Sequence, residues 1–151
     1  MRLYRIGQQP HIGSTAGLGG LYSEGRWHRM GQPILYTSEH LSLAKLEVLA
    51  NAVKFPEGYF ALTLEVPAEA STCFIEAADL PLNWEKIPCL PNTSALAQQW
   101  LAKAEHWLLR VPSAHSPTEY NYLLNPLHPD HRLLRIVSLE PHPFDSRLKL
   151  S

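Results

Sequence analysis

Three side chains in the first third of the sequence carry chemistry that could act together on one small molecule. Arg26, Tyr36 and Glu47 lie in the stretch GRWHRMGQPILYTSEHLSLAKLEVL. An arginine guanidinium donates paired, planar hydrogen bonds that match phosphate oxygens. A tyrosine ring face attracts a cation, and a carboxylate stabilises the positive charge that builds on a sugar while its glycosidic bond breaks. Taken singly they would be a surface arginine, a core tyrosine and a solvated glutamate, so only their combination indicates a site.

The elements predicted around these residues place them on a loop, a strand and a helix. Short apolar segments at 3–6 and 33–37 predict β-strands. Between them, the loop HIGSTAGLGGLYSEG has glycines that would let the backbone approach a ligand, although an ordinary surface loop has the same composition. A helix is predicted to begin with Ser38 as its N-cap, with Glu47 beside an apolar face made of Leu43, Leu46, Ala50 and Val53.

The rest of the chain mixes short strands with one further helix. Apolar segments predict strands at 59–66, 72–75, 107–111, 121–125 and 133–139. The segment SALAQQWLAKAEHW predicts a helix that is capped by Thr93 or Ser94 and directs inward Leu96, Trp100, Leu101 and Ala104. Strands and helices do not alternate regularly. The sequence therefore predicts a single α+β domain over residues 1–151, with a mixed or antiparallel sheet and flanking helices.

Composition narrows the range of functions. The 151 residues include 13 Lys and Arg against 14 Asp and Glu, for a net charge of −1. Such a chain has no general cationic field to hold a phosphate backbone, so we do not expect direct binding to nucleic acid. No apolar run approaches the roughly 20 residues that span a bilayer, and the N-terminus lacks the apolar core of a secretion signal. We therefore expect no membrane association and a cytoplasmic location.

The residues that could bind a metal or act as nucleophiles do not form a known motif. Cys73 and Cys89 lack metal-ligand spacing and are expected to be reduced thiols. The sequence contains no HExxH, nucleophile elbow or Walker loop. His115, His128 and His131 fall in predicted loops without a ligand pattern, which favours surface or hydrogen-bonding roles. We therefore predict no metal site.

Four groups of residues extend the interpretation over nearly the whole chain. They are LYRI near the start, GRWHRMGQPILYTSE followed by AKLEVL, then LRVPSAHSPTEYNYLLNPLHPD, and finally FDSRL. In this order and spacing they resemble the RES domain, the toxin half of the RES–Xre toxin–antitoxin systems. The resemblance implies a fold related to the ADP-ribosyltransferase toxins and an activity that consumes NAD as a substrate, with no separate cofactor. One departure lies in SEGRWHRMG, where many RES domains have a second glycine before the arginine and Asn-Pro after the tryptophan. The effect of this altered loop on activity is left open.

The resemblance also implies roles for individual residues. Arg26, together with Arg5 in the first strand, would hold the pyrophosphate. Tyr36 would turn its ring face to the cationic nicotinamide. Glu47 would stabilise the oxocarbenium ion and hold the ribose 2-hydroxyl. Ser113 would hydrogen-bond the nicotinamide amide or the ribose, with a turn-capping role as its alternative.

Four further residues, two near Arg26 and two after Ser113 in the sequence, are predicted to have mainly structural roles. Trp27 and Tyr22 are expected to pack the loop or to help wall the site. Asn121 and Asn125 are expected to stabilise turns rather than to touch a ligand.

Three functions remain open at this point. The leading hypothesis is a toxin that cleaves the nicotinamide–ribose bond of NAD by hydrolysis or phosphorolysis and so depletes cellular NAD. The alternative is an ADP-ribosyltransferase that modifies a host protein. Many transferases have a carboxylate or Gln two residues before the catalytic glutamate, and Lys45 at that position argues against this alternative. A third hypothesis is a binding module that mainly pairs with an antitoxin. The resemblance implies an Xre-type helix-turn-helix antitoxin as partner, and both a homo-oligomer and a toxin–antitoxin hetero-oligomer are compatible with the sequence.

Overall fold

In the computed structural model, which describes residues 1–149, the strands join into one seven-stranded sheet. The strands are β1 (Arg2–Gln8), β2 (Leu35–Ser38), β3 (Tyr59–Glu65), β4 (Thr72–Phe74), β5 (Leu108–Pro112), β6 (Tyr120–Leu124) and β7 (Arg135–Pro141). Their order across the sheet is β4-β5-β6-β2-β1-β3-β7, with β4 and β5 parallel and the other neighbours antiparallel. The predicted strands all occur, with ends shifted by no more than two residues. The predicted α+β class with a mixed sheet is confirmed.

The helices cover one face of this sheet. They are α1 (Leu41–Asn51) and α2 (Pro91–Lys103), and four short 3₁₀ helices lie at Leu18–Leu21, Ala77–Asp79, Pro129–Leu133 and Ser146–Leu148. The strand register places Tyr4, Ser38 and Asn121 side by side on the helix-covered face. Within residues 1–149, neither α-helix is long and apolar enough to cross a bilayer.

The core is divided between the two faces because strand side chains alternate. In β5, Leu108 packs into a cluster on the face away from the helices, while Leu109 packs into a second cluster beneath α2. Trp100 of α2 joins this second cluster, as does Trp27 of the long loop, the segment 9–34 between β1 and β2. A third cluster beneath α1 contains Ile6, Ala44, Ala61 and Phe144. The long loop is therefore anchored to the same core as α2.

The sheet opens between β1 and β2. These two strands pair only at Tyr4 and Ser38, whereas β1 pairs with β3 along its whole length. β2 ends at this contact, and its residues 35–37 are not paired with β1, so groups of residues 4–6 and 36–38 at the sheet centre line a cavity. This opening determines where a ligand can enter the fold.

Helix α1 differs from its prediction in both its start and its buried face. Ser38 is buried in β2, and the N-cap is His40, so the predicted N-cap is wrong. Of the predicted apolar face Leu43 is buried, but Leu46 is 38% exposed and Val53, which lies beyond the helix end, is fully exposed, so the rest of that face is wrong. The inward side is turned toward Ala44, which is buried beside Leu43. Glu47 lies one turn after Leu43 and Ala44 on this side and lines the opening in the sheet.

Helix α2 begins earlier than predicted, at Pro91, with Leu90 as N-cap. Proline is favoured in the first turn because its missing N–H has no intrahelical partner there. Thr93 and Ser94 lie inside this first turn and are buried, so their predicted capping role is wrong. The Thr93 hydroxyl donates to the carbonyl of Arg26 at 2.6 Å and therefore ties α2 to the long loop.

Candidate active site

A cavity of about 620 Å³ lies over the opening between β1 and β2. Its walls come from residues 4–6 of β1, residues 36–38 of β2, the inward side of α1, and residues 24–28 of the long loop. Four of the five predicted site residues line this one cavity: Arg5, Arg26, Tyr36 and Glu47. The fifth, Ser113, lies behind Glu47.

The carboxylate of Glu47 is held by two donors on one of its oxygens. The Ser113 hydroxyl donates to Oε1 at 2.8 Å, and Nδ2 of Asn121 donates to the same oxygen at 2.6 Å. The second oxygen, Oε2, lies 3.5 Å from Nε2 of His115, which also lines the cavity. Oε1 is therefore used for orientation, while Oε2 is the oxygen that a ligand can reach.

Ser113 has the turn-capping role that was its predicted alternative, and it does not face the cavity. It is fully buried, does not line the cavity, and accepts hydrogen bonds from the backbone N–H groups of His115 at 3.1 Å and Ser116 at 3.3 Å. These two donors occupy the lone pairs of its oxygen and direct its proton to Glu47. Its geometry favours positioning of Glu47 over direct contact with nicotinamide or ribose.

Asn121 is a site residue that the sequence interpretation missed. It lies in the middle of β6 rather than in a turn, and its side chain lines the cavity. Its Oδ1 accepts a hydrogen bond from the Ser38 hydroxyl at 2.6 Å, which fixes the amide so that Nδ2 points at Glu47. A chain of hydrogen bonds therefore runs from β2 through β6 to α1. Asn125, by contrast, stabilises a turn as predicted, because its Oδ1 accepts from the backbone of Leu127 at 3.0 Å.

Tyr36 projects from β2 into the cavity wall and contacts a histidine. Its hydroxyl lies 2.7 Å from Nδ1 of His28, and the two rings meet edge to face with centroids 5.4 Å apart. Burial raises the pKa of the Tyr36 hydroxyl well above its usual value, against the opposing effect of the Trp27 backbone N–H, so the hydroxyl keeps its proton at neutral pH. The sequence interpretation assigned no role to His28, although it follows Trp27 in the motif that carries Arg26.

Arg26 lines the cavity, but its guanidinium is bound to backbone. It donates to the carbonyls of Trp84, Glu85 and Lys86, the last two at 3.0 and 3.2 Å. The guanidinium carbon also lies 5.8 Å from the centroid of the Trp84 ring. Three of the five N–H donors of the guanidinium are therefore occupied, which leaves Nε–H and one N–H of Nη2 for a phosphate unless a carbonyl is displaced.

A tight hairpin presents Arg26 to the cavity. Gly25 and His28 exchange backbone hydrogen bonds at 3.2 and 3.4 Å, which leaves Arg26 and Trp27 at the tip. Trp27 is buried and packs against Trp84 with ring centroids 6.1 Å apart, in agreement with its predicted packing role. Tyr22 is 81% exposed and does not line the cavity, so the prediction that it packs the loop or walls the site is wrong.

Arg5 borders the cavity from β1. Its Nη1 donates to the carbonyl of Ser14 at 3.1 Å, and burial lowers the pKa of its guanidinium. A partly desolvated guanidinium interacts strongly with an anion because the surrounding dielectric is low. The predicted contact of Arg5 with a dinucleotide therefore stays a prediction that its position allows.

The remaining polar candidates lie outside the cavity or on its rim. Lys45 does not line the cavity, and its Nζ lies 5.7 Å from the centroid of the Phe144 ring. Cys89 lines the cavity as a free thiol. His128 and His131 make hydrogen bonds within the protein, to the backbone of Asp130 and Thr15, which confirms their predicted hydrogen-bonding role. Among residues 1–149, no group of three or more His, Cys, Asp or Glu side chains could hold a metal ion.

A family model describing the RES domain matches residues 2–145, which include every site residue described above. The chain belongs to the RES domain family. This RES domain is 36% identical over 152 residues to the protein named Toxin Res of Pseudomonas putida, with 98% of this chain and 99% of that protein covered. It is 31% identical over 137 residues to the Prs ADP-ribosylating toxin of a Sphingobium species, covering 88% of this chain and 85% of that protein.

A solved structure shares the fold of this RES domain. The match is to a chain in the crystal structure of the Mycobacterium tuberculosis (M. tuberculosis) MbcT–MbcA toxin–antitoxin complex, with a TM-score of 0.73. The similarity covers 93% of this chain and 83% of that chain at 14% sequence identity. The mixed sheet with its two helices is therefore an arrangement found in a solved protein.

Proposed function

We propose that this RES domain is a toxin that cleaves the nicotinamide–ribose bond of NAD. The observation that carries the proposal is the Glu47 carboxylate, fixed by two donors on one oxygen, in a cavity that also contains Tyr36 and two arginines. Cleavage of this bond releases neutral nicotinamide and leaves positive charge on the ribose. A carboxylate already oriented beside that charge stabilises the transition state without reorganisation.

The acceptor completes the reaction. When water attacks the ribose, the products are nicotinamide, ADP-ribose and a proton; when inorganic phosphate attacks, the second product is ADP-ribose 1-phosphate. Oε2 of Glu47 would hold the ribose 2-hydroxyl, while Tyr36 would stack on the departing nicotinamide, a contact worth about 0.5 to 2 kcal/mol. Arg5 and Arg26 would bind the pyrophosphate, Arg26 through the two N–H donors that the carbonyls do not use. No metal or separate cofactor enters this scheme.

Release of nicotinamide from NAD by the purified protein, with and without added phosphate, tests the proposal. The Glu47→Gln variant keeps the size of the side chain and one acceptor oxygen but removes its charge. We expect it to lose most of the activity, because the charge is what stabilises the oxocarbenium ion. Glu105→Gln, on an exposed side chain, is the matched control. Unchanged turnover in Glu47→Gln would contradict the proposal.

Transfer of ADP-ribose to a protein is the second candidate function. Its support is the similarity to a relative named an ADP-ribosylating toxin. The same cleavage chemistry serves a protein nucleophile, but Lys45 lies outside the cavity and offers no carboxylate to activate one. Incubation of the toxin and radiolabelled NAD with cell lysate separates the two functions: a discrete labelled protein band would favour transfer.

We also infer that an antitoxin covers this protein in the cell. The inference is supported by the fold shared with a chain of a toxin–antitoxin complex, and the Xre type of the partner stays a prediction. An NAD-consuming toxin would act in the cytoplasm, the location predicted from the sequence. Co-expression with the product of a neighbouring helix-turn-helix gene should yield a stable complex that restores growth. A complex that forms without restoring growth would contradict the inference.

A further inference from the structure

The ring of His28 is held between the backbone carbonyl of Ser23 and the hydroxyl of Tyr36. Its Nε2 lies 2.8 Å from the backbone carbonyl of Ser23, and its Nδ1 lies 2.7 Å from the Tyr36 oxygen. A carbonyl can only accept a hydrogen bond, so Nε2 must carry a proton. In the neutral imidazole Nδ1 is then an acceptor, and the Tyr36 hydroxyl must be the donor.

The backbone around this pair leaves little room for another arrangement. His28 is only 5% exposed, and the hairpin bonds between Gly25 and His28 fix the position of its ring. A Cβ atom on Gly25 would lie 2.6 Å from Cε1 of His28 and 3.0 Å from the Tyr36 oxygen. The glycine therefore permits the close approach, and any side chain at position 25 would separate the ring from its partners.

We propose that His28 is a positioning residue whose Nδ1 accepts the hydrogen bond that the Tyr36 hydroxyl donates, so that the Tyr36 oxygen acts toward the cavity as a hydrogen-bond acceptor. The cavity then selects a ligand group that donates a hydrogen bond at this point. This inference rests on the proposed function for the identity of the ligand. In NAD two groups near the scissile bond can donate: the carboxamide N–H of nicotinamide and the hydroxyls of the adjoining ribose.

A spectroscopic measurement tests the hydrogen-bond direction without any substrate. In the protein labelled with ¹⁵N-histidine, His28 is identified as the signal that disappears in His28→Gln. At neutral pH we expect a protonated Nε2 and a non-protonated Nδ1, and we expect the Nδ1 signal to move in Tyr36→Phe but not in Tyr22→Phe. Tyr22 is the matched control because its side chain is exposed outside the cavity. A protonated Nδ1 in the wild-type protein would overturn the proposal.

Substrate analogues test the selectivity and identify the donor. One analogue carries an acetyl group in place of the carboxamide, which keeps the carbonyl and the ring charge but removes the N–H donors. Others lack one ribose hydroxyl next to nicotinamide. One of these analogues should lose about tenfold in kcat/KM with the wild-type protein, the effect of one hydrogen bond, and much less with Tyr36→Phe. If every analogue is discriminated equally by both proteins, the selectivity is refuted.

The role of His28 is separated from general stability by the conservative variant and a control. In His28→Gln the side-chain amide oxygen can still accept a hydrogen bond from the Tyr36 hydroxyl, whereas the alanine in His28→Ala cannot. We expect His28→Gln to retain more of the discrimination than His28→Ala, with the exposed His11→Gln unchanged. Equal discrimination in His28→Ala and wild type would refute the positioning role. If the protein consumes no NAD, the ¹⁵N measurement still determines the direction of the hydrogen bond between Tyr36 and His28. Failure of the proposed function can therefore be distinguished from failure of this inference.

Discussion

Asn121 offers the sharpest test of how the candidate site works. Its Nδ2 donates to Glu47 at 2.6 Å, and its own Oδ1 is fixed by Ser38 at 2.6 Å. Asn121→Ala removes a hydrogen bond to a charged group, an interaction worth about 1.5 to 3 kcal/mol. If that interaction holds Glu47 in place in the transition state, kcat for nicotinamide release falls roughly 10- to 150-fold, with a smaller change in KM.

The same substitution in a second background shows whether Asn121 acts through Glu47. In the Glu47→Gln protein the charge is already lost, so Asn121→Ala should add little to the defect. Asn125→Ala is the matched control, because Asn125 is also buried but stabilises a turn outside the cavity. It should lower the unfolding midpoint and leave kcat nearly unchanged. An equal fold-loss from Asn121→Ala in both backgrounds would refute the reasoning.

Three further outcomes follow from particular contacts. Arg26→Lys should raise KM for NAD and speed alkylation of Cys89 in the cavity wall, because a lysine cannot bridge the three carbonyls at 84–86. The alkylation rate is measured in a Cys73→Ser background, and a rate equal to that of the parent would contradict the prediction. Leu43→Ala, at a side chain 1% exposed, should lower the free energy of unfolding in urea by about 2 to 5 kcal/mol, and Leu46→Ala, at a side chain 38% exposed, by less than about 1 kcal/mol. Equal losses would show that Leu46 is packed inward, as the sequence predicted. Burial lowers the pKa of His131 in the folded protein below its unfolded value of 6.5. The contribution of His131 to the free energy of unfolding is therefore complete above pH 6.5 and is lost as the pH falls from there through the folded-state pKa. Urea unfolding at decreasing pH should show this loss, and less of it in His131→Gln.

The sequence was sufficient to predict the strands because their apolar alternation is local. It was insufficient for the face of α1, because that face depends on which side of the helix meets the sheet. Ala44 and Glu47 lie inward with Leu43, whereas Leu46 is exposed. The stripe of Leu43, Leu46, Ala50 and Val53 therefore gave a face that is correct only at Leu43, although the chemical argument for Glu47 did not depend on it.

The partners of Glu47 could not be read from spacing. Ser113 and Asn121 lie 66 and 74 residues away along the chain and meet Glu47 only because β5 and β6 are neighbours in the sheet. Asn121 sits in a strand of otherwise apolar or aromatic residues, and a polar side chain at such a position was the one local signal that could have identified it. The contact of His28 with Tyr36 depends on the hairpin in the same way, since a bridge between Gly25 and His28 has no sequence signature beyond the glycine.

The two sides of the cavity are prepared for ligand to different degrees, and this difference predicts which kinetic constant each residue controls. On one side, Glu47 is already held by Ser113 and Asn121, so its orientation costs nothing further when the substrate binds. On the other side, three of the five N–H donors of Arg26 are bound to backbone carbonyls, so only two can bind phosphate oxygens without displacing a carbonyl, which limits the net gain from binding. An interaction that is equally strong in the bound substrate and in the transition state changes KM, whereas one that strengthens only in the transition state changes kcat. Substitutions around Glu47 should therefore appear mainly in kcat, and substitutions of Arg26 mainly in KM.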